Sequence, residues 1–144
     1  YEVRAALESL AARFAAERGT RAQKKRIVRS LERVAVAYEK GVLIDQLSAK
    51  DDFYREICDT ASNPVIASML SNIQARVQVL RGLSLQVPGR SAESLVELEE
   101  LVAAIERGDA ETAAELATQH VQRAATIALG LLHDEHHRAT LSPS

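Results

Sequence analysis

A lysine and a histidine stand in this chain where a helical pattern asks for apolar side chains. The stripe Leu43, Leu47, Lys50, Tyr54, Ile57, Ala61 advances in steps of four and three, which puts all six side chains on one face of a helix. Lys50 therefore points inward. A buried ammonium is costly unless it is paired or hydrogen-bonded, so the position reads either as a snorkelling stem or as part of a polar site. His120 repeats the pattern in the stripe Ala113, Leu116, His120, Ala124, Ile127, Leu131. It reads either as a satisfied core histidine or as a pocket residue. Two inward polar groups on separate helices point to a shared cavity.

Other reactive residue types are less suggestive. His133, Asp134, Glu135, His136 and His137 form the densest group of potential ligands, and His133 with His137 has the i, i+4 spacing that can chelate a metal. At the end of the last helix, the cluster is either a solvated terminus or a metal site. Cys58 has no evident activating neighbour and is expected to be a small buried hydrophobe, not a nucleophile. No Glu-x-x-His pair, Walker A loop, dinucleotide glycine fingerprint, Cys-x-x-Cys pair or Gly-x-Ser-x-Gly elbow occurs. An enzyme is not expected.

The elements that must position Lys50 and His120 are helices, since no alternating run is long enough for a sheet. A first helix carries Val3, Leu7, Leu10 and Phe14 and ends near Gly19, which suits a left-handed C-terminal cap. Thr20 can cap a second, with Ile27, Leu31, Val34 and Tyr38 inward, that stops near Gly41. The Lys50 helix follows, closed by the turn Ser62-Asn63-Pro64. A fourth helix, with the stripe Ile66, Ile73, Val77, Leu80, runs out before Pro88-Gly89. Ser91 or Ser94 can start a fifth, with Leu95, Leu98, Val102 and Ile105 inward, ending at Gly108. Asp109 caps the last, which carries His120 into the 130s, and residues 139–144 are expected to fray. Short connections predict an all-α antiparallel bundle of about six helices.

The 144 residues suit one domain with a single core. A net charge of −2 gives no electrostatic footprint for nucleic acid, and the basic run Arg21, Lys24, Lys25, Arg26, Arg29 reads as a solvated helix face. One cysteine excludes an internal disulfide framework, and no signal sequence or membrane-length apolar stretch is evident, so a cytoplasmic location is expected. Tyr1 already lies in amphipathic register without an initiator methionine, which predicts a longer polypeptide.

Several segments, in order, carry a family likeness. They are Tyr1-Glu2-Val3-Arg4-Ala5-Ala6-Leu7-Glu8, Phe53-Tyr54-Arg55-Glu56-Ile57 with Asn63-Pro64, then Arg90, Ser94 and Glu97, Ala104-Ile105-Glu106-Arg107-Gly108-Asp109, and His120-Val121. Over nearly its whole length the chain resembles the C-terminal effector domain of FadR-type GntR transcription regulators, the FCD domain. The resemblance implies a homodimeric sensor of small organic acids, with a winged helix-turn-helix domain upstream as its only route to DNA and no membrane association. Many members hold a divalent metal through an aspartate and three histidines. Those positions fall here on Lys50, Tyr54, Leu98 and His120. One retained imidazole is too few for a structural metal, so neither metal nor other cofactor is expected.

Lys50 then supplies fixed positive charge where the cation would have been, and Tyr54 a hydroxyl. The expected site comprises Lys50, Tyr54, His120, Leu98, Arg4, Ser94 and, flanking the fourth-helix stripe, Arg76 and Arg81, binding a small anionic metabolite. Plainer readings stay open: a first-turn or N-cap role for Ser94, a surface pair with Glu8 for Arg4, and solvent exposure for Arg76 and Arg81. The competing function is a structural dimerisation module in which Lys50 is buried against a carboxylate. Asp51, Asp52 and Glu56 lie nearby but on other faces, so none is a clear partner.

Overall fold

A computed structural model describes residues 1–141, with side chains as far as Asp134. The all-α expectation holds: the described residues form seven helices and no strand. They are α1 (Glu2–Arg18), α2 (Arg21–Lys40), α3 (Leu43–Ala61), α4 (Pro64–Arg76), α5 (Gln78–Leu85), α6 (Arg90–Arg107) and α7 (Ala110–Leu141).

The punctuation of α2, α3 and α7 follows the sequence. Thr20 and Gln23 form a reciprocal capping box, Thr20 Oγ1 accepting from the Gln23 amide at 3.2 Å and Gln23 Oε1 from the Thr20 amide at 2.8 Å. Gly41 and Gly108 end α2 and α6 in left-handed geometry, at φ 71° and 73°. Asn63 Oδ1 accepts from the Ile66 amide at 3.2 Å with Pro64 in the first turn, and Asp109 Oδ1 likewise from Thr112 at 3.2 Å.

Four expectations need correction. Gly19 is not left-handed: its φ of −65° and ψ of 130° are extended. Glycine is needed there for space, because a Cβ would come within 2.5 Å of both the Ala15 carbonyl oxygen and Thr60 Cγ2. The fourth helix is two helices, interrupted at Val77 (φ −99°, ψ 12°), where β-branched Val77 and Val79 weaken helical preference. α6 starts at Arg90 behind Gly89 (φ 82°), not at Ser91 or Ser94. The last helix extends past the 130s to Leu141, and residues 142–144 of the expected frayed tail lie outside the described residues.

The inward face of α1 is only partly as expected, with Leu7 buried and Phe14 packed against the core. Val3 and Leu10 are exposed, and α1 instead buries Arg4, Ala5, Leu7, Glu8, Ala11, Ala12, Ala15 and Ala16. Alanines let α1 sit deep in the bundle, where it packs most extensively on α7 and also touches α3, α4 and α6. The core continues through Ile27, Val34, Phe53, Ile57, Leu70, Leu98, Leu101 and Ile105. The small alanines leave room for the longer side chains α1 carries, Leu7 and the polar pair Arg4 and Glu8, to be buried as well.

Candidate functional site

α3 delivers Lys50 as its stripe predicts: the side chain is 5% exposed, between buried Leu47 and Tyr54. α7 delivers His120, 1% exposed, and the two meet with Lys50 Nζ 3.2 Å from His120 Nε2. The other imidazole nitrogen, Nδ1, lies 2.6 Å from Glu97 Oε2 on α6. Glu97 in turn accepts two bonds from the Arg90 guanidinium, at 2.8 and 2.9 Å. A continuous buried chain, Arg90 to Glu97 to His120 to Lys50, thus ties α6, α7 and α3 together.

The electrostatics assign the protons along it. Burial and the Lys50 ammonium push the His120 imidazole down to about 4, against the pull of Glu97. His120 is therefore neutral at pH 7, with Nδ1–H donating to the carboxylate and the Nε2 lone pair accepting from Lys50. Burial opposes the Glu97 charge, but bonds from His120 and Arg90 overcome it and hold the carboxyl well below the usual carboxylate range. Burial, followed by repulsion from Arg4 and Arg81, holds Lys50 well below the ordinary lysine range.

Arg4 and Arg81 close the other side of Lys50. Arg4 is 1% exposed and binds Glu8 through Nε at 2.7 Å. The i, i+4 pair expected on the surface is thus formed, but inside the bundle. Its guanidinium carbon lies 5.6 Å from the Tyr1 ring centre and 5.9 Å from that of Tyr54. Lys50 Nζ lies 5.8 Å from the same Tyr54 ring, whose buried hydroxyl has no hydrogen-bond partner among the described residues. Burial, reinforced by Glu8, raises the Tyr54 hydroxyl well above its usual range, so it is a neutral donor.

Arg81, on α5, is buried; its Nη1 donates to Gln78 Oε1 at 2.9 Å and lies 2.8 Å from Asp51 Oδ1. The Asp51 approach is an ion pair off the N–H direction, since Oδ1 accepts no hydrogen bond. Next to these groups a cavity of about 390 Å³ opens between α3 and α4, lined by Asp51, Tyr54, Leu70, Ser71, Gln74 and Gln78 among others.

Of the residues proposed from sequence, Lys50, Tyr54, His120, Arg4 and Arg81 come together. Ser94 is fully buried and shares a 3.1 Å hydrogen bond with the Tyr38 hydroxyl, so it is neither an N-cap nor in the first turn. Leu98 is fully buried in the apolar core. Arg76 is exposed at the end of α4, as the plainer reading has it, and does not line the cavity. The nearby carboxylates do miss Lys50, for Asp51, Asp52 and Glu56 meet Arg81, Arg55 and Arg26. Sequence reasoning did not assign Glu97, Arg90 and Glu8 to the site. Arg90, Ser94, Glu97 and Leu101 recur at helical spacing, the signal that marks them as inward.

A divalent metal does not fit these residues. Both His120 nitrogens are engaged, one of them by the Lys50 amine, and Leu98 offers no donor. No group of three potential His, Cys, Asp or Glu ligands occurs among the described residues. His133 is exposed, whereas the side chains of His136 and His137 lie outside the described residues. Cys58 is buried as expected, and burial pushes its thiol up to about 12. No described helix is long and apolar enough to cross a membrane. In comparison with known proteins, the family model described as FCD domain matches residues 1–123. No curated protein matches the chain.

Proposed function

The chain belongs to the FCD domain family, the effector-binding domains of GntR-type regulators, and from that premise we propose that it senses a small anionic metabolite without a metal. The observation that carries this reading is the setting of Lys50. The buried Lys50 amine has a neutral imidazole as its hydrogen-bond partner, and burial together with two neighbouring guanidinium groups disfavours its charged form. Charging that amine is unfavourable in an empty bundle, where Arg4 and Arg81 already have Glu8 and Asp51 as partners, and favourable once an anion enters. Lys50, Arg4 and Arg81 anchor the anion, Tyr54 donates its hydroxyl, and His120 holds Lys50 in place. Leu98 and Ser94 support the walls from behind.

The wider assignment rests on family membership. We place the domain in a FadR-type regulator, homodimeric and cytoplasmic, that reaches DNA through a winged helix-turn-helix domain upstream. The family is regulatory, which together with the absence of a catalytic motif supports a non-enzymatic role. Ligand then biases the geometry of the dimer by binding its arrangements unequally. The interaction-module alternative asks Lys50 to be buried against a carboxylate of its own chain or of a partner. Its partner in the structure is His120.

The test is a thermal-shift and titration screen of mono- and dicarboxylates, sugar acids and acyl thioesters. Lys50→Ala is expected to weaken the best hit by roughly one to three orders of magnitude, as loss of one partner from a buried charge pair does. Arg26→Ala, in an exposed pair with Glu56, is the surface-charge control. Equal losses in both variants, or none in Lys50→Ala, refute the anchor.

A further inference from the structure

The unused edges of the two buried arginines say more about the ligand than its sign. Arg4 binds Glu8 through Nε alone, and its Nη1 and Nη2 have no hydrogen-bond partner among the described residues. Arg81 directs Nη1 to Gln78 and Asp51, and its Nε and Nη2 likewise have no partner. Each is a complete two-pronged edge, the first the end of a guanidinium and the second its side. Either can take both oxygens of one acid group. The two arginines are 1% and 4% exposed, so bulk water does not stand in for the missing acceptor.

The edges come from different helices, α1 and α5, yet the two guanidinium groups share neighbours. Tyr1, Lys50 and Tyr54 each feel the charge of both Arg4 and Arg81. One carboxylate has two oxygens and saturates one edge. From these edges the geometry points to a ligand with two acid groups, one gripped by Nη1 and Nη2 of Arg4 and the other by Nε and Nη2 of Arg81. Lys50 and the Tyr54 hydroxyl lie beside them, and the ligand body extends into the cavity bordered by Tyr54, Asp51 and Gln74. Gln74 Nε2, also buried and unpartnered, offers a further donor there. The inference rests on the anion-sensing reading above and narrows it to diacids.

Calorimetric titration of the chain with succinate, glutarate and adipate, each beside its own monomethyl ester, separates the two claims. At least one diacid is expected to bind about tenfold or more tightly than its ester, a preference that Arg4→Gln and Arg81→Gln each reduce to near unity. Arg4→Lys keeps the charge but not the two-pronged edge and is expected to lose the preference too, which covers failure of Arg4→Gln to fold. Arg26→Ala should leave it intact. Equal binding of diacid and ester, both abolished by Lys50→Ala, overturns the diacid inference and leaves the anion reading standing. No binding of any of these acids overturns both.

Discussion

Acid should weaken this fold in a range where most domains are at their most stable, and His120 is the reason. The imidazole is pushed down to about 4 in the folded chain, against an ordinary value of 6.5. Below the ordinary value the unfolded chain gains a proton that the folded chain refuses, so stability is complete above pH 6.5 and falls as pH drops toward 4. The 2.5-unit difference corresponds to about 3 kcal/mol over the full window, of which about 2 kcal/mol is lost by pH 5. Glu97, held below the usual carboxylate range, adds its own loss only at lower pH. Urea unfolding followed by circular dichroism at pH 7, 6 and 5 reads the effect directly. His120→Gln, which can still donate to Glu97 or accept from Lys50, should flatten the slope between pH 7 and 5. A parent protein equally stable at pH 7 and pH 5, or a His120→Gln variant that keeps the parent's slope, refutes the assignment of a neutral buried imidazole.

Three further outcomes are expected. After tag removal and dialysis, elemental analysis should find well under one equivalent of zinc, nickel or manganese per chain; stoichiometric metal lost in His120→Ala would contradict the site, whereas metal lost on replacing His133 or His137 would locate it on the tail. Gly19→Ala should destabilise by roughly 1–3 kcal/mol through overpacking against Ala15 and Thr60, more than Gly41→Ala, where the space is open and the cost of about 1 kcal/mol comes from the left-handed backbone; a reversed order in urea unfolding would refute the steric account. Residues 1–144 should form dimers by analytical ultracentrifugation yet show no sequence-specific DNA binding at physiological salt, and specific submicromolar binding would refute the division of labour with an upstream domain.

The inward turn of Lys50 and His120 was legible because each interrupts an otherwise apolar stripe of helical period on a long helix. That the two meet was not, for a period gives the face of a helix and not what it faces. Lys50 and His120 are 70 positions apart, and His120 and Glu97 are 23. α1 misled for another reason. Its buried face is built from alanines with Arg4 and Glu8, while its bulkier Val3 and Leu10 point outward. Size and hydrophobicity mislead when a central helix fills its inward face with alanines around a buried ion pair. The break at Val77 was hidden because the stripe Ile66, Ile73, Val77, Leu80 keeps helical spacing across it. Gly19 shows that a residue read correctly as a helix end can be there for a contact across the bundle, which no local rule contains.

If Lys50, 3.2 Å from His120, anchors the anion as proposed, the positive centre of the site belongs to the polypeptide itself. A coordinated ion can be stripped, exchanged or starved, so a sensor built around one also reports the supply of that ion. An ammonium cannot be chelated away. Its charge can be lost only by giving up a proton, which burial and the neighbouring arginines already encourage. A ligand anion that restores that charge would draw a proton from solvent as it settles. On the reading proposed above, the receptor exchanges dependence on trace-element availability for sensitivity to acidity, and its response curve should slide along the concentration axis with the pH of its surroundings.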